Sequence, residues 1–463
     1  MKKQFLSTGA LQLVLILIGL NACNRSDSFQ DFALETQHNN VFTTAEVSID
    51  EAEAELLSFL QASEGNTKVG NSRIIESRFS RGGAMTKGDD NKDTPLVHIF
   101  NFSDNQGYAI MAGDRRVSPI LCIMDSGHLT PESTIDNPQM LLAFSELDTY
   151  YRLKTGMPII DSEGNTIIVP TEEEKQGIRG GNTKSGDGGY TYVYGVWGPY
   201  STVGQKLSCT WGQRCPFNAN CTTTDGRPAF AGCGPIAVAQ VMYYHGKCVT
   251  YKDTYWDWPV MRYVYNQNST PTNPNAWDLV KRLIALLGIP ENLDVTYGAV
   301  ADLQGSSSSP GNIPRTFEHF GYASGGSIED YDYTTLKNNL QNGPAIGIGY
   351  CYKTTTVTTF LGIPINTEIT YSGGHGWVFD QSMTRRRSVD VYYEGRLVYS
   401  YYQTEELIHI NWGWNDGIDN GFYYPFRFDV NEGWVTRGST STTEGTNLYF
   451  QFNLQMNCTI QDD

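Results

Sequence analysis

The sequence predicts an α+β fold in two unequal parts, a small α+β domain followed by a larger domain. At 463 residues the chain exceeds a typical single domain. Short helix and strand patterns alternate up to residue 171, and a charged, glycine-rich stretch at residues 172–189 then interrupts them. Since that stretch cannot bury a core, we expect an exposed linker that is open to proteolytic cutting. Residues 190–463 then form the larger domain, which is rich in Trp, Tyr and Gly.

Composition supports packed cores and argues against some classes of partner. Hydrophobic residues make up 40% of the chain and aromatic residues 12%, which is enough apolar material for well-packed domains. The formal net charge is -17. A surface of that sign repels phosphate backbones and anionic membranes, so nucleic-acid binding is disfavoured.

Residues 1–22 have the pattern of a signal peptide. Two lysines precede an apolar run at residues 11–20, which is shorter than the roughly 20 residues of a membrane span. The run ends in Leu-Asn-Ala-Cys, which resembles a bacterial lipobox. We therefore predict an exported protein, lipid-anchored through Cys23 in the bacterial envelope, at the outer membrane or cell surface, with release after processing also open. An ordinary secretory signal with an incidental cysteine is the alternative.

Residues 23–171 are predicted to form the small α+β domain. Ile49–Leu60 has the pattern of a short helix that Asp50 could cap, with Leu56, Leu57 and Leu60 on its apolar side. Further apolar patterns predict strands at Pro95–Phe102, Tyr108–Ala112 and Val117–Met124 and a helix at Met140–Lys154.

The sequence around Cys233 indicates a nucleophile at the start of a helix. Small residues surround the cysteine in Ala-Gly-Cys-Gly-Pro, and a helix-forming run continues to His245. Pro235 suits the first turn of a helix, where backbone N–H groups and the helix dipole stabilise a thiolate and lower its pKa. A buried structural cysteine fits this segment equally well.

His375 is the candidate base. It lies between glycines at the start of an apolar strand pattern, 142 residues after Cys233. Papain-type enzymes place their histidine about 130–150 residues after the cysteine. None of the other six histidines has this glycine context.

Two further segments offer supporting groups. Asn411 could orient the imidazole beneath the indole of Trp412, as an amide does in Cys-His-Asn sites. Gln213, upstream of the nucleophile, could donate to a developing oxyanion together with the Cys233 N–H. Trp414 could line the cleft or only pack in the core.

We also expect Gly232 and Gly374 to line the cleft with Trp414, because small residues leave room for a substrate carbonyl. The chain has nine cysteines. Cys209, Cys215 and Cys221 lie close together, and a zinc site there stays open, although no second ligand pair at zinc-finger spacing follows.

These segments together resemble the streptopain family of papain-like cysteine peptidases, over residues 190 to about 454. The specific marks are the string at residues 232–244, Gly-Gly-His at 373–375 and Asn-Trp-Gly-Trp at 411–414. The resemblance implies a papain-like fold with a helical part and an antiparallel β part. Residues 96–124 look like the inhibitory propeptide of that family.

The resemblance also implies a function. The chain would be the zymogen of a secreted cysteine endopeptidase that acts on protein or peptide substrates through a Cys233 thioester, with its own propeptide as intramolecular inhibitor. That chemistry needs no metal and no cofactor. Family members tend to prefer hydrophobic side chains two residues before the cut bond.

Two departures from the family pattern stand out. Gly234-Pro235 follows the nucleophile, and a hairpin predicted at Val389–Tyr402, turning at Glu394-Gly395, lengthens the gap between His375 and Asn411. Such an insert could shade the cleft. Two other functions stay open: a surface adhesin or glycan-binding lipoprotein with aromatic contact residues, and another Cys-His enzyme such as an amidase or transglutaminase.

Overall fold

The computed structural model describes residues 45–64, 73–82, 96–133, 151, 159–160, 166–167, 190–360, 363–417, 419–425, 441–445 and 452–462. The predicted signal peptide, Cys23 and the predicted linker lie outside the described residues, as does the predicted helix at Met140–Lys154 apart from Tyr151. No helix within the described ranges is both long and apolar enough to cross a membrane.

The described α-helices are α1 (Ile49–Glu64), α2 (Cys233–His245), α3 (Trp258–Met261), α4 (Asn275–Leu287), α5 (Ile313–His319) and α6 (Tyr333–Asn339). The strands of the N-terminal part are β1 (Ile75–Gly82), β2 (Leu96–Phe102), β3 (Tyr108–Ala112), β4 (Ile120–Met124), β5 (Ile159–Ile160) and β6 (Thr166–Ile167). The strands of the C-terminal part are β7 (Tyr190–Tyr194), β8 (Ser201–Gly204), β9 (Val249–Tyr251), β10 (Thr254–Trp256), β11 (Ser324–Asp330), β12 (Ala345–Phe360), β13 (Ile363–Tyr393), β14 (Arg396–Asn411), β15 (Gly421–Tyr423), β16 (Ser441–Gly445) and β17 (Phe452–Gln461).

The first helix begins as its sequence predicts, with a different cap. Ser48, rather than Asp50, caps α1: its hydroxyl accepts the Glu51 N–H at 3.3 Å, and the Glu51 carboxylate accepts the Ser48 N–H at 2.9 Å. This reciprocal pair is a capping box, which satisfies two N–H groups at once. Leu56 on α1 is fully buried, but Leu57 is 48% exposed, so its assignment to the apolar side was wrong.

One large antiparallel sheet runs through both parts of the molecule. Its strand order is β1-β2-β3-β4-β15-β14-β13-β12-β17-β11, with β16 on β12 and with β7 and β8 on β13. The helices α2, α4 and α5 pack into one core on the C-terminal part. The predicted fold class, a small α+β prodomain before a domain with a helical part and an antiparallel β part, is confirmed.

The N-terminal part is joined to the C-terminal part by strand pairing and by buried charges. Strand β4 pairs with β15, so that Ile123 lies opposite Phe422. Arg385, which is nearly fully buried, contacts Glu55 of α1 and Glu405 of β14 at 2.5 Å each. Buried charges that pair in this way cannot be separated cheaply, because each would be left without a partner in a poorly solvated place.

The predicted hairpin is present, formed by the end of β13 and the start of β14. Its turn residues Glu394 and Gly395 have φ angles of 47° and 76°, the left-handed pair that a tight hairpin turn needs. Near its base, Gln403 donates to the carbonyl oxygens of Arg115 at 3.1 Å and Val117 at 3.2 Å. The hairpin therefore contacts the N-terminal part of the chain.

Candidate active site

Cys233 is the first residue of α2, as predicted. Gly232 precedes the helix with a φ of 89°, a conformation that favours glycine. A side chain at Gly234 would come within 2.6 Å of the Ser308 hydroxyl, so the segment of four serines at residues 306–309 packs directly against the start of the helix. Pro235 lies inside the first turn, and the Gly-Pro departure therefore leaves the helix start intact.

The Cys233 sulfur lies beside the segment that carries His375. Burial raises the pKa of the Cys233 thiol, while the backbone N–H groups of Gly376, Gly234 and Cys233 itself act to lower it. The hydrogen bond from the Gly376 N–H places the sulfur next to the residue that follows His375 in the chain. The expected lowering by the helix N-terminus is present, but burial outweighs it in this form of the protein.

His375 is held on β13 by a backbone carbonyl. It is 4% exposed, and its Nε2 lies 2.9 Å from the Trp412 oxygen. Because a carbonyl oxygen only accepts, Nε2 carries the hydrogen and Nδ1 of the neutral ring is left as the proton acceptor. Burial lowers the His375 pKa to about 4, against the effect of the Trp412 carbonyl, so the imidazole is neutral near pH 7.

Asn411 lies next to this arrangement, but its hydrogen bonds go elsewhere. Its Oδ1 accepts from Gln240 Nε2 at 3.1 Å and from the Gly413 N–H at 3.1 Å, and its Nδ2 donates to the Cys209 carbonyl at 2.9 Å. The position that the sequence assigned to the Asn411 amide, next to the imidazole, is occupied by the carbonyl of Trp412.

Tryptophan rings enclose the imidazole. Trp414 stacks on His375 with ring centroids 4.4 Å apart and planes 10° apart, and Trp412 and Trp377 lie 6.1 and 6.2 Å away. Trp412 is buried, and its Nε1 donates to the Tyr423 hydroxyl at 3.3 Å. Trp414 is half-buried. These rings restrict the imidazole to one plane and keep water from its face.

Gln213 is anchored next to the nucleophile loop. Its carbonyl accepts the Ala231 N–H at 3.0 Å, two residues before Cys233. The Gln213 residue is half-buried. The structure thus brings the Gln213 backbone next to the loop that leads into Cys233.

The two glycines predicted to line a cleft lie on either side of the nucleophile. Gly232 directly precedes Cys233, and Gly374 is exposed beside His375. A side chain at Gly374 would come within 2.9 Å of the Tyr350 ring, and burial, followed by the nearby Cys233, raises the pKa of the Tyr350 hydroxyl. Any side chain at Gly374 would therefore force the Tyr350 ring to shift.

Sequence reasoning missed two supporting residues, Gln240 and Asn420. Gln240 is fully buried on α2, and Asn420 accepts the Trp412 N–H at 2.8 Å through its side-chain oxygen. The signal for Gln240 was its polar side chain in an otherwise apolar helix, which needs a partner when buried. Asn420 carries no comparable signal.

Within the ranges that the structure describes, no group of three or more His, Cys, Asp or Glu residues is placed to hold a metal ion. Cys209 and Cys221 are buried, Cys215 is exposed, and none of the three forms a disulfide. Burial raises the pKa of Cys221 to about 11, which disfavours the thiolate that zinc requires.

Comparison with known families identifies both parts of the chain. Residues 211–423 match the Peptidase C10 family, and residues 44–149 match the Spi protease inhibitor family. The match to Peptidase C10 contains Cys233, His375 and Asn411. The resemblance seen in the sequence is thereby confirmed for both domains. A comparison with curated proteins found no match.

Two solved structures from Prevotella intermedia are similar to this chain. A fragment of prointerpain A has 16% sequence identity and a TM-score of 0.40, and the match covers 82% of this chain and 98% of that one. The active wild-type interpain A cysteine protease has 19% identity and a TM-score of 0.32, and the match covers 55% of this chain and 93% of that one.

Proposed function

Because the chain joins a Peptidase C10 domain to a Spi protease inhibitor domain, we propose that it is the zymogen of a secreted cysteine endopeptidase that cuts peptide bonds through a thioester at Cys233. One observation carries the mechanism: the Gly376 N–H lies against the Cys233 sulfur while the Trp412 carbonyl holds the neighbouring His375. That placement supports proton transfer from the thiol to Nδ1, the unprotonated nitrogen of the imidazole.

The first half of the reaction forms the thioester. His375 Nδ1 takes the Cys233 proton, and the thiolate attacks the peptide carbonyl carbon. The Gln213 amide and the Cys233 N–H donate to the developing oxyanion. His375 then gives its proton to the leaving amine, and the C–N bond breaks as the carbonyl reforms.

The second half releases the acyl group. Water attacks the thioester while His375 takes one of its protons, and the thiolate that leaves recovers this proton. The proton that Cys233 gave up leaves with the amine and is replaced by one from water, so one water molecule is consumed for each peptide bond.

We infer that activation changes the charge of the pair. Burial is the largest cause of both pKa shifts, upward for Cys233 and downward for His375. Both shifts favour the neutral thiol and neutral imidazole. Entry of water or substrate would relieve them and move the pair toward thiolate and imidazolium.

The contacts of the prodomain support its proposed role as an intramolecular inhibitor. It extends the peptidase sheet through β4 and β15, and its apolar residues share a core with Trp377 and Trp412 directly beneath His375. We propose that cutting within residues 172–189 allows this domain to leave. We also propose export and lipid attachment at Cys23, which the sequence pattern alone supports.

The test is a pair of single-cysteine replacements in the full-length chain. Cys233→Ala should abolish casein digestion and leave the precursor uncut, whereas Cys248→Ala, which removes an exposed thiol, should change neither. A thiol-directed epoxide inhibitor should label Cys233 selectively, as mapped by mass spectrometry. An alanine variant at 233 that still matures and digests casein at the normal rate would show that the assignment is wrong.

A further inference from the structure

We propose that Gln240 is a positioning residue that connects the helix carrying the nucleophile to the carbonyl that holds the base. This inference rests on the proposed function. Gln240 lies seven residues after Cys233 on α2, close to two full turns, so both side chains leave the same side of the helix. The side chain is fully buried.

The hydrogen bonds around Gln240 fix which way each amide points. The Cys209 carbonyl can only accept and the Gly413 N–H can only donate, so Asn411 must direct Nδ2 to the first and Oδ1 to the second. Gln240 then faces two acceptors, Asn411 Oδ1 at 3.1 Å and the Trp211 carbonyl at 3.0 Å. Its NH₂ group alone can satisfy both.

The next connection runs through a single peptide group. The Gly413 N–H, which bonds to Asn411, and the Trp412 carbonyl, which holds His375, belong to the same planar peptide unit. In a trans peptide the N–H and the C=O point in opposite directions. Fixing the N–H on the Asn411 side therefore fixes the direction of the carbonyl that faces the imidazole.

Gly413 itself is required in this unit. Its φ is 69°, and a side chain there would come within 3.0 Å of Ile236 on α2. The turn after Trp412 is thus pressed against the helix that carries the nucleophile. A change at Gln240 would therefore affect the base in three steps. Asn411 would shift, the Trp412–Gly413 peptide unit would rotate, and the His375 ring would turn out of the orientation in which Nδ1 accepts the thiol proton.

A rival explanation is that Gln240 only seals the Trp211 carbonyl within the core. Under that explanation its loss lowers stability without changing the chemistry of the thiol. The two explanations differ in the pH dependence of Cys233 reactivity and in kcat, because a misaimed imidazole transfers the proton poorly even in a folded protein.

The experiment introduces Gln240→Met and Val241→Ala into the full-length chain and assays each protein after its prodomain has been cut off. Methionine nearly matches glutamine in size but cannot donate, and Val241 is a fully buried neighbour on the same helix. We expect Gln240→Met to lower kcat by roughly 10- to 100-fold with KM nearly unchanged, and to shift the pH profile of Cys233 alkylation by iodoacetamide. Val241→Ala should lower the unfolding midpoint and leave the profile in place.

A second variant decides the matter if the methionine variant does not fold. Gln240→Glu keeps the shape of the side chain, and its protonated acid can donate one hydrogen bond. Activity should then be partly retained at low pH and lost as the introduced acid ionises, because a carboxylate would face two acceptor oxygens. Wild-type activity should show no such step.

The outcomes separate the two proposals. If wild-type Cys233 is alkylated faster than Cys248 and the Gln240 variants keep the wild-type profile and kcat, the positioning role is overturned and the peptidase assignment stands. If wild-type Cys233 reacts no faster than Cys248 and no peptide is cut, both are overturned.

Discussion

Replacing Asp125 by asparagine should loosen the prodomain from the peptidase domain. Asp125 directly follows β4 of the prodomain, and its side chain lies 2.6 Å from Lys206 and 3.1 Å from His409 of the peptidase domain. It also pairs with Arg73 within the prodomain at 2.7 Å. The replacement removes the carboxylate that these three cationic groups share, while Arg73 keeps Glu64 at 2.8 Å and His409 keeps Asp380 at 2.6 Å.

The magnitude follows from burial. Breaking a fully buried ion pair by removing one partner costs about 3–5 kcal/mol. The Asp125 side chain is 18% exposed and that of Lys206 is 35% exposed, which screens part of the interaction. We therefore expect a loss of about 2–3 kcal/mol in the free energy of docking, which corresponds to a roughly 30- to 150-fold larger open fraction.

The same cluster makes docking depend on pH. Burial alone would lower the His409 pKa, but the carboxylates of Asp380 and Asp125 raise it overall, against Lys206. Burial would raise the Asp125 pKa, yet Lys206, His409 and Arg73 hold it well below its usual range. Asp380 belongs to the same domain as His409, so only the part of the rise that Asp125 causes depends on docking; that part is complete below about pH 6.5 and is lost as pH rises through the raised His409 pKa.

The contribution of Asp125 has the opposite sign. It is present above about pH 4 and is lost as pH falls through its lowered pKa. The prodomain should therefore dock most tightly between about pH 4 and 6.5 and open more readily toward alkaline pH.

Hydrogen exchange in a Cys233→Ala background measures this opening without self-cleavage. The amides of β15 that pair with β4 should exchange faster in Asp125→Asn by the factor given above, since their exchange requires the junction to open. Asp225→Asn is the matched control, because Asp225 forms an exposed ion pair with Arg227. Unchanged β15 exchange in Asp125→Asn would refute the reasoning.

Two further replacements test the site and its support. Trp414→Ala should raise the His375 pKa from about 4 toward 6.5, because burial is the main cause of its lowering; an NMR titration that leaves the value near 4 would exclude this cause. Gly347→Ala should destabilise the protein by about 1–3 kcal/mol in urea unfolding, because a side chain there would come within 2.2 Å of the Trp377 ring nitrogen; Gly305→Ala, which meets open space, should be neutral.

Local patterns in the sequence were enough to predict much of the fold. The helix at residue 49, the strands at 96–102 and 108–112, and the turn at Glu394-Gly395 all have short-range signals, and the structure contains each of them. The start of the helix at Cys233 was equally clear, since glycine and proline restrict the backbone there.

The charge state of the pair could not be predicted in this way. The helix start at Cys233 suggested a lowered thiol pKa, and the structure gives a raised one. Burial depends on which segments fold over the sulfur, and one of them, the strand that carries His375, lies 142 residues away in the sequence. A helix terminus is local, whereas desolvation is not.

By itself, the sequence determined which side chains are the candidates for the chemistry: a cysteine at a helix start, a histidine between glycines and an amide upstream of the nucleophile. Only the tertiary structure decided that the Trp412 carbonyl, rather than Asn411, bonds to His375, and that Asn411 bonds to the N–H of the same peptide unit. It also decided that β4 continues the peptidase sheet. The physical reason is the same in both cases. Backbone carbonyl and N–H groups are present at nearly every residue, so their partners are chosen by the path of the folded chain and leave no mark on residue identity.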